Sequence, residues 1–246
     1  MSKEYPRFWS LGSYKYSLYR SKLYDYFQRH TRNASLVLDG GCGDEGGYVV
    51  SVSSSAHGIG LDIDRQNARK SLEKARVSQL NNLSFLAGDL ENLPFSEEAF
   101  DVIVLCDVLE HVKTPEKAIR ELAFSLRKGG RLLVCTTNKF NPIMCLDSML
   151  PNSVSNMIIR RLGGPLHYER TRRFAPWELA QKLRVCGFNI ESLLMFGYPP
   201  IGKPWVYHHS KAEPPMIFHC WILFDKITKF GFLSNFKEET LVVARL

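Results

Sequence analysis

Short β-rich runs alternate with helical stretches between residues 35 and 137, and this alternation limits the possible folds more than anything else in the chain. The runs are SLVLD (35–39), HGIGLD (57–62), LSFLAG (83–88), DVIVLC (101–106) and RLLVCTT (131–137). Between them, Asp64 is placed to cap a helix through RQNARKSLEKAR. Thr114-Pro115 opens PEKAIRELAFSLRKGG, with Pro at the first helical position and Gly129 as the expected stop. This order indicates an α/β fold, a mostly parallel sheet with helices on its faces. Ahead of it, YSLYRSKLYDYFQRH has helical apolar spacing and is expected to flank the sheet edge. After residue 137 the alternation loosens. Residues 138–175 read as a partly helical insertion, PWELAQKLRVCGF as a helix from Pro176 to Gly187, and NIESLLMF as a strand. A second insertion, 199–237, precedes a closing strand, ETLVVARL. The chain is thus expected to be one domain over residues 1–246. It has a helical flank (1–34), a ligand-binding core (35–137) and two insertions where substrate recognition usually sits.

Composition supports a folded protein: 45% of residues are hydrophobic and 23% charged, ample for a buried core. The formal net charge of +7 tolerates an anionic partner without selecting one. Six cysteines, at 42, 106, 135, 145, 186 and 220, include no C-x-x-C pair, which argues against a zinc site or a disulfide framework. Reduced thiols and an N-terminus unlike a signal peptide lead to a cytoplasmic expectation. The longest apolar stretch, MIFHCWILF (216–224), is too short to span a bilayer.

The first strand runs into LDGGCGDEGG (38–47), where Gly41, Gly43 and Gly46 spell the dinucleotide fingerprint G-x-G-x-x-G. Charge argues against a pyrophosphate there. A carboxylate at Asp39 faces the loop, and each like-charge contact at ~4 Å costs on the order of 4 kcal/mol at an effective dielectric near 20. The residues that follow, GGYVVSVSSS, are poor helix formers and so a poor phosphate dock. A phosphate-free cation is the better guest, and S-adenosylmethionine carries both a sulfonium and an ammonium. Asp62 ends the second strand, where it can accept from both ribose hydroxyls, and Ile63 can pack on the adenine. Asp89 can accept from the adenine amino group, with the Leu90 N–H meeting a ring nitrogen. Singly, each acid has a plainer reading as a turn former. Together they mark the strand ends at which open α/β sheets bind ligands.

Five segments carry a resemblance: VLDGGCG (37–43), GLDID (60–64), AGDLENLPFSEEAFDVIVLCDVLEHV (87–112), KGGRLLVCTTN (128–138) and HYERTRRFAPWELAQKLRVCGF (167–188). In order and spacing they resemble the class I S-adenosylmethionine-dependent methyltransferases, in the broad group that includes quinone-biosynthetic O-methyltransferases. The resemblance implies a Rossmann-like, doubly wound, seven-stranded sheet with an antiparallel last strand. It implies S-adenosyl-L-methionine as cofactor, held by Asp39, Gly40, Gly41, Cys42, Gly43, Asp62, Ile63, Gly88, Asp89, Leu90, Cys106 and Asp107. Two positions depart from the family pattern: Gly40 replaces a bulky apolar residue, and Glu45 stands where the third glycine often lies.

Methyl transfer asks the protein for positioning and desolvation, with a base only where the acceptor must lose a proton. His111, in DVLEHV, and His167 are the candidate bases, placed beside the acceptor by the resemblance; for His111 a structural backbone contact is an equal alternative. No metal is expected. The chain lacks the Asn/Asp-Pro-Pro-aromatic and Pro-Cys motifs, which disfavours common amino-directed and C5-cytosine nucleic-acid enzymes. RRLGGPLHYERTRRF (160–174) fits an anionic substrate or RNA phosphates, with a solvated charged loop as the default. The second insertion fits either a peripheral membrane contact or a lid helix. Three readings result: an enzyme methylating O or N of a small or lipid-like molecule, an RNA methyltransferase, and a catalytically silent cofactor-binding regulator.

Overall fold

The computed structural model describes residues 23, 26–51, 56–161, 171–196 and 239–246. A seven-stranded sheet runs through the middle in the order β3-β2-β1-β4-β5-β7-β6. Its strands are β1 (Leu36–Gly40), β2 (His57–Asp62), β3 (Leu83–Ala87), β4 (Phe100–Cys106), β5 (Leu126–Thr137), β6 (Asn189–Phe196) and β7 (Glu239–Arg245). β1 to β5 pair in parallel, and β7 runs antiparallel between β5 and β6. This is the doubly wound sheet expected from the sequence, antiparallel last strand included.

The side-chain period of two sends alternate residues of each strand to opposite faces, and both faces are covered. On one face Leu38, Ile103, Leu105, Leu132, Val134 and Val242 pack with Ala118, Ile119 and Leu122 of α3 (Pro115–Ser125) and Leu179 and Leu183 of α6 (Pro176–Val185). On the other, Val37, Val102, Val104, Leu133 and Val243 meet Leu23, Phe27 of the helical residues 26–31 (α1), and Ala68 and Ala75 of α2 (Arg65–Val77). The insertion after β5 contains α4 (Pro142–Met149) and α5 (Asn152–Arg161). Residues 162–170 and 199–237 lie outside the described residues, so His167 and the second insertion are not placed.

Local signals explain most element ends. Asp64 caps α2 by accepting from Gln66 N at 2.8 Å. α6 stops with Gly187 at φ +94° and Phe188 N donating back to Leu183 O at 3.1 Å. α3 differs from expectation. It ends at Ser125, not Gly129, because Leu126 already turns extended and pairs with Phe100. β5 thus starts five residues earlier than read, with a register shift between Phe100 and Val102.

Candidate functional site

Strand order reverses between β1 and β4, so their C-terminal ends open a crevice of the kind where doubly wound sheets hold ligands. Four adjacent strands deliver an acid to this edge. Asp39 lies in β1, Asp62 closes β2, Asp89 follows β3, and Asp107 follows β4 at φ +56°. Asp39 is buried, and its Oδ2 accepts from the Tyr48 backbone N–H. Tyr48 in turn packs edge-on against Phe27, and its hydroxyl accepts from Cys106 Sγ at 3.2 Å. Nothing in the sequence singles out Tyr48.

The glycine loop is shaped by its neighbours. Gly41 N and Cys42 N both donate to Leu61 O, at 2.7 and 3.0 Å, which joins β1's exit to β2. Gly40 has a steric reason for departing from the family pattern. A Cβ there would come within 2.6 Å of Leu105 Cδ2 and 2.7 Å of Leu90 Cδ2, so the two leucines fill the space of the missing side chain. At Gly43 the φ is +63° and a Cβ would meet nothing within 4 Å, so this turn borders open space. Beyond it the chain forms 3-10 turns, Gly43–Glu45 and Val49–Ser51, in keeping with its weak helix propensity.

Glu45 points away from the crevice. It is exposed and pairs with Lys74 Nζ at 2.5 Å on α2, while Asp44 meets Lys70 at 3.5 Å. A buried hydroxyl does the work at the loop's closing end. Ser71 Oγ accepts from Gly46 N at 2.9 Å and donates to Gly43 O at 2.8 Å. Its sequence signal is a polar residue inside the buried stripe Ala68, Ser71, Ala75.

Asp62 is more committed than expected. Oδ2 accepts from Gly43 N at 2.8 Å, and Oδ1 accepts from Asp64 N at 2.9 Å and Asn67 Nδ2 at 3.2 Å. That uses three of about four acceptor positions on a carboxylate. Accepting two ligand hydroxyls therefore requires Gly43 or Asn67 to let go. Ile63 beside it is 78% exposed, an apolar face at a strand end that a flat ring can cover. Gly88 N bonds Asp62 O at 2.9 Å, and Asp89 Oδ1 takes Glu91 N at 2.8 Å, which orders the next strand end with Leu90 buried beneath. Cys42 is buried beside two carboxylates. Burial, then Asp39 and Asp62, push its thiol well above the usual range, so it is no nucleophile.

Past β4, residues 107–112 form a turn, and the helix starts at Pro115 as expected. His111 is exposed, and its N–H bonds Val108 O at 2.9 Å. Glu110 beside it is buried and accepts from Thr136 Oγ1 at 2.7 Å. Among the described residues no group of three His, Cys, Asp or Glu side chains is arranged to hold a metal, and no helix is long and apolar enough to cross a membrane.

Comparison with known proteins bears on the ligand. A family profile described as a methyltransferase domain matches residues 38–134, the segment that carries all four acids. The ubiquinone biosynthesis O-methyltransferase of Chromobacterium violaceum is 29% identical over 196 residues, covering 76% of this chain and 79% of that protein. The chain is a class I S-adenosylmethionine-dependent methyltransferase. This methyltransferase is also 31% identical over 139 residues to the ubiquinone/menaquinone biosynthesis C-methyltransferase UbiE of Haemophilus ducreyi, though it spans only 52% of that relative. Its fold is shared with the geranyl diphosphate C-methyltransferase of Streptomyces coelicolor A3(2), solved with S-adenosyl-L-homocysteine. There the TM-score is 0.61 at 15% identity, with 92% of this chain and 80% of that one covered. The crevice of the methyltransferase fits its cofactor, S-adenosylmethionine. The acids suit its cationic groups, and open space borders Gly43 where a bound ligand would lie.

Proposed function

We propose that the enzyme methylates an oxygen atom of a small or lipid-like molecule. The observation that carries this reading is the likeness to the O-methyltransferase of ubiquinone biosynthesis across 79% of that relative. Asp39, Gly40, Gly41, Cys42 and Gly43 would hold the amino-acid end of the cofactor, with Asp62, Ile63, Gly88, Asp89 and Leu90 at its nucleoside and Cys106 and Asp107 below. Bound there, the cofactor supplies an activated methyl group, and the protein's share is to orient it and exclude water. His111, exposed at the crevice edge, would take the acceptor proton. Replacing His111 by Ala should flatten the rise of turnover between pH 6 and 9; an unchanged profile removes it as the base.

The C-methyltransferase relative gives a specific reason to test carbon as well. Cell extract divided into small polar, lipid and RNA pools, incubated with enzyme and methyl-labelled cofactor, identifies the acceptor class. NMR of the product then separates O–CH3 from C–CH3. Label in the lipid or small-molecule pool as a methyl ether supports the proposal, and label confined to RNA overturns it. No product in any pool favours a silent cofactor-binding protein.

A further inference from the structure

One buried residue under the His111 turn joins its own segment to two others. Glu110 is 5% exposed. Its Oε2 accepts from Thr136 Oγ1 at 2.7 Å near the end of β5, and the Thr137 backbone also hydrogen-bonds the carboxyl group. Its carbonyl accepts from Arg172 N at 3.2 Å. Two residues on, Phe174 pairs with Asn138 and accepts from Lys139 N at 3.0 Å, so residues 171–174 are bound to the same strand end. The turn after β4, the end of β5 and the chain returning from the first insertion therefore meet at one residue, β5 through its carboxyl group and the returning chain through its main-chain carbonyl.

We infer that Glu110 is a positioning residue for methyl transfer, holding residues 107–112, and with them His111, in register with the ends of β4 and β5. The inference rests on this edge being the acceptor side of the site. The protonation state of Glu110 matters to the hold. Burial pushes its carboxyl up to about 7, and the Asp107 carboxylate in the same turn adds to the rise, against the Thr136 and Thr137 hydrogen bonds. The Cys135 thiol of β5, kept neutral by its hydrogen bond with Cys106 and by burial, also feels the Glu110 charge. Asp147 answers the nearby Arg173 at 2.6 Å. As a neutral acid Glu110 fastens its turn to the end of β5 without adding charge; once ionised, it is repelled by Asp107 and the turn loosens.

Two measurements on the 246-residue chain test this. In 15N-labelled protein, the amides of Glu110 and Thr137 should shift together between pH 5.5 and 8.5 around a shared midpoint near 7. Glu110→Gln, which keeps the neutral shape, should abolish that shared titration. Independent midpoints, or the same titration in Glu110→Gln, overturn the inference. The second measurement uses 3,4-dihydroxybenzoate as a soluble phenolic acceptor. Glu110→Ala should lower kcat on the order of ten- to a hundredfold while S-adenosylmethionine affinity by calorimetry stays within about twofold. Glu110→Gln should recover most of the kcat that Glu110→Ala loses, and its turnover should rise at least as steeply as the wild type's up to pH 8.5. Equal losses in kcat and cofactor affinity would make Glu110 merely structural and overturn the role. If the wild type leaves this phenol unmethylated, it is the acceptor reading that fails, and the amide titration alone decides the inference.

Discussion

Ionising Glu110 sets a buried charge beside Asp107, and that cost should be visible in the stability of the whole chain. The folded-state value is raised to about 7 from an ordinary 4.5. Below pH 4.5 the acid is neutral in both folded and unfolded chains and has no effect. Between 4.5 and 7 only the unfolded chain ionises freely, so folding stability falls as pH rises and levels off above 7. A shift of that size corresponds to about 3 kcal/mol. Glu110→Gln should therefore gain stability relative to wild type from pH 4.5 to 7.5, as read by urea denaturation at each pH. A difference that stays constant with pH would show that Glu110 does not titrate as described. Glu45 poses the opposite case. Its pairing with Lys74 is exposed, and such pairs contribute about 0–1 kcal/mol. Glu45→Ala should leave S-adenosylmethionine affinity within about twofold; a large loss would return Glu45 to the cofactor site.

At the level of elements, the contact between α2 and the glycine loop decides whether the crevice keeps its shape. Ser71 serves both sides of that loop with one hydroxyl. Ser71→Ala leaves a buried N–H at Gly46 and a carbonyl at Gly43 without that partner, a cost of about 1–3 kcal/mol. The variant should unfold at lower urea and bind S-adenosylmethionine more weakly, whereas Ser71→Thr should recover part of both. Stability lost with cofactor affinity intact would show that the loop holds its shape without this staple. The end of α3 carries a related lesson. Gly129 reads as a helix stop because glycine favours left-handed turns, and its φ is indeed +78°. Pairing of Leu126 with Phe100 draws the chain into β5 first, so tertiary hydrogen bonding overrides the local signal.

For the whole molecule, cofactor and fold are thermodynamically linked, because the strand ends that carry the acids exist as a site only in the folded sheet. A ligand at about 100 times its Kd stabilises by about 2.7 kcal/mol. For a chain of this size each kcal/mol moves Tm by about 2–4 °C. Saturating S-adenosylmethionine should thus raise Tm by roughly 5–10 °C. NADH at the same concentration should leave it unchanged, since its pyrophosphate would approach Asp39. An equal rise with NADH would return the loop to the dinucleotide class.

Much of this architecture is legible in the order of residues. Alternating strand and helix signals suffice for the doubly wound sheet, since a parallel sheet is the economical way to bury such segments on both faces. The acids at successive strand ends follow from that sheet, and with them the preference for a cationic ligand. What the sequence could not decide depends on which groups meet across long separations. Glu45 turns outward because Lys74, 29 residues further along the chain, answers its charge. Asp62 has most of its acceptor capacity taken by Gly43, Asp64 and Asn67. Glu110, read along the chain as a neighbour of His111, becomes the meeting point of Thr136 and Arg172. Periodicity and propensity are local properties, so residues alone determine the sheet and its ligand class; hydrogen bonding and burial are satisfied in three dimensions, so only the tertiary structure decides which side chains remain available for the chemistry.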